Sequence, residues 1–319
     1  MTTAAPGGQK IRQIGGVAWT PNTRRETWWA FIFLLPWIIG FLVFTAGPMI
    51  WSLVLSFTDY DPLRESTNFI GIENYLFLAE DRRVGLSLFN TAFYTLFNVP
   101  LTILIGLGLA LLLNRVTGPL AGFFRTAFYL PNVTPAVAIG TLFLLLLNAN
   151  GVVNQGLGVI GIDGPSWLND GPWIKPGIII MSLWTTGNTV IIYFAALKNV
   201  PGELYEAARI DGASSWHQFV NITVPMISGA IFFTLVINTI TSLQMFSEVY
   251  TIFFGNQEGQ SAAATDAAIF YVIWLFRQAF EFFNFGYASA MGWVLFVIIM
   301  IITVIQIRGS RRFVYYEGE

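Results

Sequence analysis

The sequence predicts an all-α integral membrane protein with six spans. Three observations carry that prediction. Of its 319 residues, 55% are hydrophobic and 11% charged, where a soluble domain has roughly 25% charged residues. Mean hydropathy is +0.64. Six stretches hold the roughly 20 apolar residues of helix that a hydrocarbon core of about 30 Å requires. Composition also excludes chemistries. There is no cysteine, so there is no disulfide framework, cysteine zinc site or thiol chemistry. His217 is the sole histidine, and a multi-histidine metal site is excluded with it. None of Lys10, Lys175 and Lys198 follows a glycine, so no phosphate-binding G-K-[ST] loop exists and ATP is not hydrolysed by that route. A net charge of −2 offers no basic field for nucleic acid.

Residues 1–27 read as a flexible cytoplasmic tail. Arg24 and Arg25 precede an apolar run too long for a signal peptide, and no small-residue cleavage site follows. The spans fall at about 29–57, 91–113, 123–147, 176–197, 226–246 and 287–307, within a transmembrane domain of 28–312. Residues 313–319 form a second tail. Pro36, Pro48, Pro100, Pro131 and Pro135 fall inside spans, where neighbouring helices can satisfy the carbonyls they free. The apolar segment 266–283 is interrupted by Arg277 and Glu281, four apart and set to pair on one helix face. Central charges are costly in lipid, so this segment reads as an outer-face helix lying partly in the interface. With the N-terminus cytoplasmic, the inner side holds eleven of the 16 basic residues, and the outer side holds Arg64, Arg82, Arg83, Lys175 and Arg277. That bias places both termini in the cytoplasm, and residues 58–88 and 247–285 outside.

Residues 198–221 form the one substantial inner loop. Pro201 can open a helix, with Glu203 and Glu206 near its positive end. Ala207 and Ala208 keep one face small. Gly212 can take a left-handed cap. Ser215 and Gln218 have capping-box spacing for a second short helix, and Pro225 begins the next span. Two short helices meeting at a bend are the result.

The same residues carry a resemblance. Glu206-Ala207-Ala208, Gly212, Ile222, Val224 and Pro225 match the motif E-A-A-x3-G-x9-I-x-L-P, with Val224 in place of leucine. In this the chain resembles the permease subunits of binding-protein-dependent ABC importers. Ser56–Tyr60, Asn68–Tyr75, Arg125–Pro131 and Phe285–Ala290 are similar to the maltose-type and glycerol-phosphate-type sugar branch. One departure lies at Phe254-Gly255-Asn256-Gln257-Glu258, where that branch often has T-x-G-G-P. The resemblance implies the type I permease fold, with a cytoplasmic coupling helix between spans four and five that docks on an ATPase dimer. It implies Glu206 as the anchor by an ion pair, Gly212 as the bend, and Ala207 and Ala208 as the point of close approach, with Ile222 and Pro225 completing the motif. It further implies a second permease subunit, a distinct one as the family usually has or a second copy of this chain, and an extracytoplasmic solute-binding protein, in the lipid of a prokaryotic cytoplasmic membrane. ATP and Mg would belong to the ATPase, with no cofactor in this chain.

The fifth span carries Thr234, Asn238, Thr241, Ser242, Ser247 and Glu248 at helical spacing, with Gln244 on a flank. The fourth adds Trp184, Thr185, Thr186, Asn188 and Thr189, and the sixth Tyr287 and Ser289. Such groups either glue helices together or line a sugar pocket. The candidate solute contacts are Asn188, Ser242, Gln244, Met245, Glu248 and Ser289; for Gln244 and Met245 the resemblance to the maltose-type permease adds a register counted from Pro225. An ATP-independent transporter or channel, and a membrane scaffold, are the competing readings. The first lacks a mid-span carboxylate relay, and the second has no need of a polar face.

Overall fold

The computed structural model describes residues 13–14, 17–18, 21–64, 67–255 and 262–314. Lys10, Arg12 and Asn256-Gln257-Glu258 lie outside the described residues. A short antiparallel pair, β1 (Gln13–Ile14) and β2 (Val17–Ala18), precedes the helices. The first span is α1 (Pro21–Phe41), a π turn at Leu42–Ala46 and α2 (Gly47–Leu55). Pro48 lacks the N–H that would continue the α ladder, and the π turn falls just before it. In the lone chain none of this span's most apolar window is buried.

An isolated bridge between Thr58 and Phe69 leads to α3 (Glu73–Glu80). The 34-residue α4 (Arg82–Arg115) follows, about 50 Å long at 1.5 Å per residue. It is the central post of the bundle, packed on by α8, α9, α13 and α16.

The sequence predicts one continuous third span, and the structure breaks it. It is α5 (Pro119–Tyr129), a 3-10 turn at Leu130–Val133 and α6 (Ala136–Leu146), bent by 100°. Proline disfavours the helical conformation in the residue before it, and Thr134, before Pro135, is extended at φ −78°, ψ 131°. After α7 (Val152–Val159) the fourth span is likewise bent, by 47°, between α8 (Gly171–Leu183) and α9 (Gly187–Lys198). Four continuous helices and these two bent pairs give six candidate crossings among the described residues.

The loop between the fourth and fifth spans holds α10 (Gly202–Ile210) and α11 (Ser215–Gln218). A π turn at Phe219–Thr223 and α12 (Val224–Met226) then deliver the chain into the fifth span. That span is α13 (Ser228–Leu243) continued by α14 (Ser247–Phe253), so it runs past the predicted end at 246. Next come α15 (Ala262–Ala268) and α16 (Tyr271–Phe280), and α17 (Phe285–Ser310) closes the bundle.

The segment 266–283 is partly buried, with Phe280, Phe282 and Phe283 exposed at its end. Phe270, Tyr271 and Ile273 are fully buried, and α16 packs between α4 and α17. Asn90 explains how its non-helical start is tolerated. Asn90 Nδ2 donates to the carbonyls of Asp266 (2.9 Å) and Ile269 (3.0 Å), and the Tyr271 N–H donates to Thr91 Oγ1 (2.9 Å). Irregular backbone at this depth survives only where protein satisfies it. Arg277 and Glu281 pair as their spacing predicts, Nε to Oε2 at 2.6 Å.

Candidate functional site

Two regions match the sequence candidates: the projecting loop and a cavity at mid-bundle. In the loop, Pro201 is the N-cap of α10, and Glu203 lies in its first turn. The helix ends in a Schellman pair: the Ala213 N–H donates to Ala208 O (2.8 Å) and the Gly212 N–H to Arg209 O (3.1 Å). Gly212 has φ +77°, a left-handed conformation that favours glycine. The second helix is capped one residue earlier than the spacing predicts. Ser214, not Ser215, accepts from the His217 N–H, and Gln218 Nε2 donates to Ala213 O (2.9 Å) instead of closing a box. Tyr205 and Thr223 share a hydroxyl hydrogen bond of 2.9 Å that ties α10 to the foot of the fifth span.

Glu206 and Ala207 are exposed, and Ala208, Ile222 and Pro225 are half-buried. The two ion pairs seen among the described residues are Asp61–Arg64 and Arg277–Glu281, so Glu206 has no cation from its own chain there. Ile210 and Trp216 are 86% and 72% exposed.

The mid-bundle cavity, of about 240 Å³, lies where the breaks of spans three, four and five meet α4. Asn132, in the 3-10 turn of the third span, joins the first two breaks. With its amide in the orientation its neighbours require, its oxygen accepts from the Gly187 and Asn188 N–H groups (both 3.2 Å) and its nitrogen donates to Thr185 O (2.8 Å). Gly187 permits this approach, since a Cβ there would stand 1.9 Å from Phe128 O. On the α4 side, Tyr94 donates to Ser182 Oγ (2.7 Å) and Asn98 Nδ2 to Ser242 Oγ (3.2 Å).

Of the predicted contacts, Asn188, Ser242, Met245 and Glu248 line this cavity. Gln244 and Ser289 do not. Gln244 is the C-cap at the break after α13 and is exposed. Ser289 lines a separate apolar groove with Met49, Ser52 and Trp293. Two residues along a helix is about 200° around it, which turns Ser289 away from the face of buried Tyr287 and Met291. The sequence reading missed Tyr94, Asn98, Thr102 and Asn132, which line the cavity from spans two and three. For Tyr94, Asn98 and Thr102 the signal was a spacing of four in a largely apolar run.

A larger cavity of about 590 Å³ opens where α4 begins. It is a bowl beyond the spans and not a mid-span chamber. Asp81 anchors it, accepting from the Arg83 N–H (2.8 Å), Trp274 Nε1 (3.1 Å) and the Tyr287 hydroxyl (3.0 Å). Among the described residues no group of three His, Cys, Asp or Glu could hold a metal ion.

A six-crossing bundle with a polar mid-span chamber and a projecting helix pair is the architecture of an importer permease. The family described as binding-protein-dependent transport system inner membrane component matches residues 102–313, and the chain belongs to that family. It is therefore an inner-membrane permease subunit, the non-catalytic component of an ABC transporter. The chain is 37% identical to the probable ABC transporter permease protein YesP of Bacillus subtilis, over 93% of this chain and 95% of that one. It is 35% identical to the lactose transport system permease protein LacF of Rhizobium radiobacter, over 88% and 93%. Among solved structures, one similar chain is from a bacterial ABC transporter involved in import of the acidic polysaccharide alginate. The match has a TM-score of 0.77 at 26% identity, over 91% of this chain and 98% of that one.

Proposed function

We propose that this chain is the membrane subunit of an ATP-driven sugar importer that works by alternating access, and that residues 198–221 couple it to an ATPase dimer. Both termini are cytoplasmic in this reading, and ATP and Mg belong to the ATPase. A second permease subunit completes the chamber, and an extracytoplasmic binding protein delivers the solute. Relatives named for lactose and for arabinooligosaccharides support a sugar. A similar chain solved with an alginate pentasaccharide-bound periplasmic protein supports the binding protein.

The observation that carries the coupling is the loop itself. Two capped helices meet at Gly212 in a left-handed turn, and the motif residues fall on both sides of it. A rigid stub transmits closure of the ATPase, whereas a floppy loop absorbs it. Glu206 is exposed and has no cation among the described residues, which supports assigning it to pair with one on the ATPase. Solute contact is assigned to Asn188, Ser242, Met245 and Glu248, on the residues that meet in the chamber.

The test is Glu206→Ala in the purified complex. Losing one partner of a partly buried ion pair costs roughly 3–5 kcal/mol, so the ATPase should co-purify poorly and uptake should fall, with the permease itself still folded. Wild-type association and uptake would make the loop a passive connector. An ATP-independent transporter would show uptake indifferent to the ATPase altogether.

A further inference from the structure

The chamber wall is built of hydroxyl, amide and apolar groups with a single charged side chain, Glu248. Among the described residues no basic side chain lines the chamber to offset it. Lys175 lies over the rings of Phe89 and Phe93, at 5.0 and 5.2 Å. Arg125 and Lys198 both lie over Phe194, and Arg277 is held by Glu281. None of these four lines the chamber.

The amide of Asn98 is committed elsewhere: the residue is 7% exposed and its Nδ2 donates to Ser242. Glu248 when ionised is acceptor-only. The chamber thus presents an anionic acceptor. A sugar hydroxyl supplies it a donor. A sugar carboxylate supplies none and meets a like charge in a medium where Coulomb repulsion is poorly screened.

On the reading that this chamber takes the solute, we propose that Glu248 sets the charge class of the cargo: uncharged polyhydroxyl sugars are admitted and uronate-type or other anionic sugars are refused. The chain whose fold this one shares at a TM-score of 0.77 belongs to a transporter of an acidic polysaccharide. The charge class is then a property of the chamber residues and not of the fold.

The chain contains no cysteine, so one introduced thiol reports the field directly. Thr241 lines the chamber and is solvent-accessible. Thr241→Cys is placed in the complete complex, with the other subunits made cysteine-free. It is then reacted with a trimethylammonium-ethyl and a sulfonatoethyl methanethiosulfonate. Each rate is divided by that reagent's rate with a free thiol in solution. The proposal expects the cationic reagent to be favoured by about tenfold. Glu248→Gln should bring the ratio close to one, and Glu248→Asp, which keeps the charge, should preserve it. A ratio near one with Glu248 in place, or a ratio unchanged in Glu248→Gln, overturns the assignment while leaving the chamber as solute path intact. Failure of both reagents to react removes the chamber reading itself, and the proposal with it.

Discussion

Where α4 begins, one carboxylate gathers three elements: Asp81 accepts from Trp274 of α16, from Tyr287 of α17 and from its own helix at Arg83. Asn74 Nδ2 adds hydrogen bonds to the carbonyls of Ser56 (2.9 Å) and Thr58 (2.8 Å), and the Gly286 N–H donates to Tyr60 O (3.1 Å). Where α4 ends, α10 and α11 stand clear with Ile210 and Trp216 uncovered. One end is fastened by long-range bonds within the chain, and the other offers apolar surface and a free carboxylate. The proposed coupling calls for this asymmetry: the end with the exposed loop docks elsewhere, and the far end holds its helices in register so that a push is transmitted.

The largest effect that would break this contrast lies at the fastened end. A Cβ at Gly286 would stand 2.0 Å from Thr58 O. Gly286→Val should destabilise the subunit by about 3 kcal/mol or more, read as a lowered thermal midpoint or lost yield in detergent. A wild-type midpoint would mean that the first span's end and α17 are not in contact. Asp81→Ala leaves Trp274 Nε1 and the Tyr287 hydroxyl without their acceptor, and should cost about 2–3 kcal/mol in the same assay. The open end should behave oppositely. Ile210→Ser and Trp216→Ser should change permease stability by no more than about 0.5 kcal/mol, yet weaken ATPase capture several-fold in a pull-down. Stability losses there comparable to those of Asp81→Ala would erase the contrast.

The smallest effect concerns pH. Hydrogen bonds from the Asn68 side chain and backbone hold the Asp59 carboxyl below the usual carboxylate range. A carboxyl lowered by folding contributes stability above its unfolded pKa and loses it as pH falls through the folded one. The bridge between residues 58 and 69 should therefore persist at neutral pH and fray only below the ordinary carboxylate range. A fluorophore on Leu63→Cys would report it. Fraying already at neutral pH would deny the Asp59–Asn68 bond.

The loop was legible in the sequence because its signals are local. Pro201 fixes a helix start and Gly212 a left-handed stop, whatever surrounds them. Only the second cap slipped, from Ser215 to Ser214, since neighbouring serines offer the same oxygen. The membrane interior was less legible. Pro131 and Pro135 announce weak points, but the 100° bend depends on Asn132 reaching Thr185 and Gly187 on another span. Asn90 and Asn98 on α4 look alike in the sequence. One satisfies the carbonyls of a buried break, and the other lines the chamber and donates to Ser242 on the fifth span. Whether a membrane asparagine glues or lines is decided by its neighbours. The burial of the stretch from Ile269 to Trp274 was hidden for the same reason: the groups that make it tolerable lie some 180 residues earlier.

The most direct test of coupling uses two glycines that share a left-handed backbone and open space for a side chain. Gly71 at the fastened end has φ +60° and Gly212 at the open end φ +77°, and neither has any atom within 4 Å of a built Cβ. Valine imposes the same backbone strain at both, with no clash at either. Solute-stimulated ATP hydrolysis is measured in proteoliposomes holding the complete complex with Gly71→Val or Gly212→Val. The account predicts a several-fold loss of stimulation and of uptake together in Gly212→Val, and near wild-type values in Gly71→Val. Wild-type stimulation in Gly212→Val, or an equal loss in both variants, would contradict it.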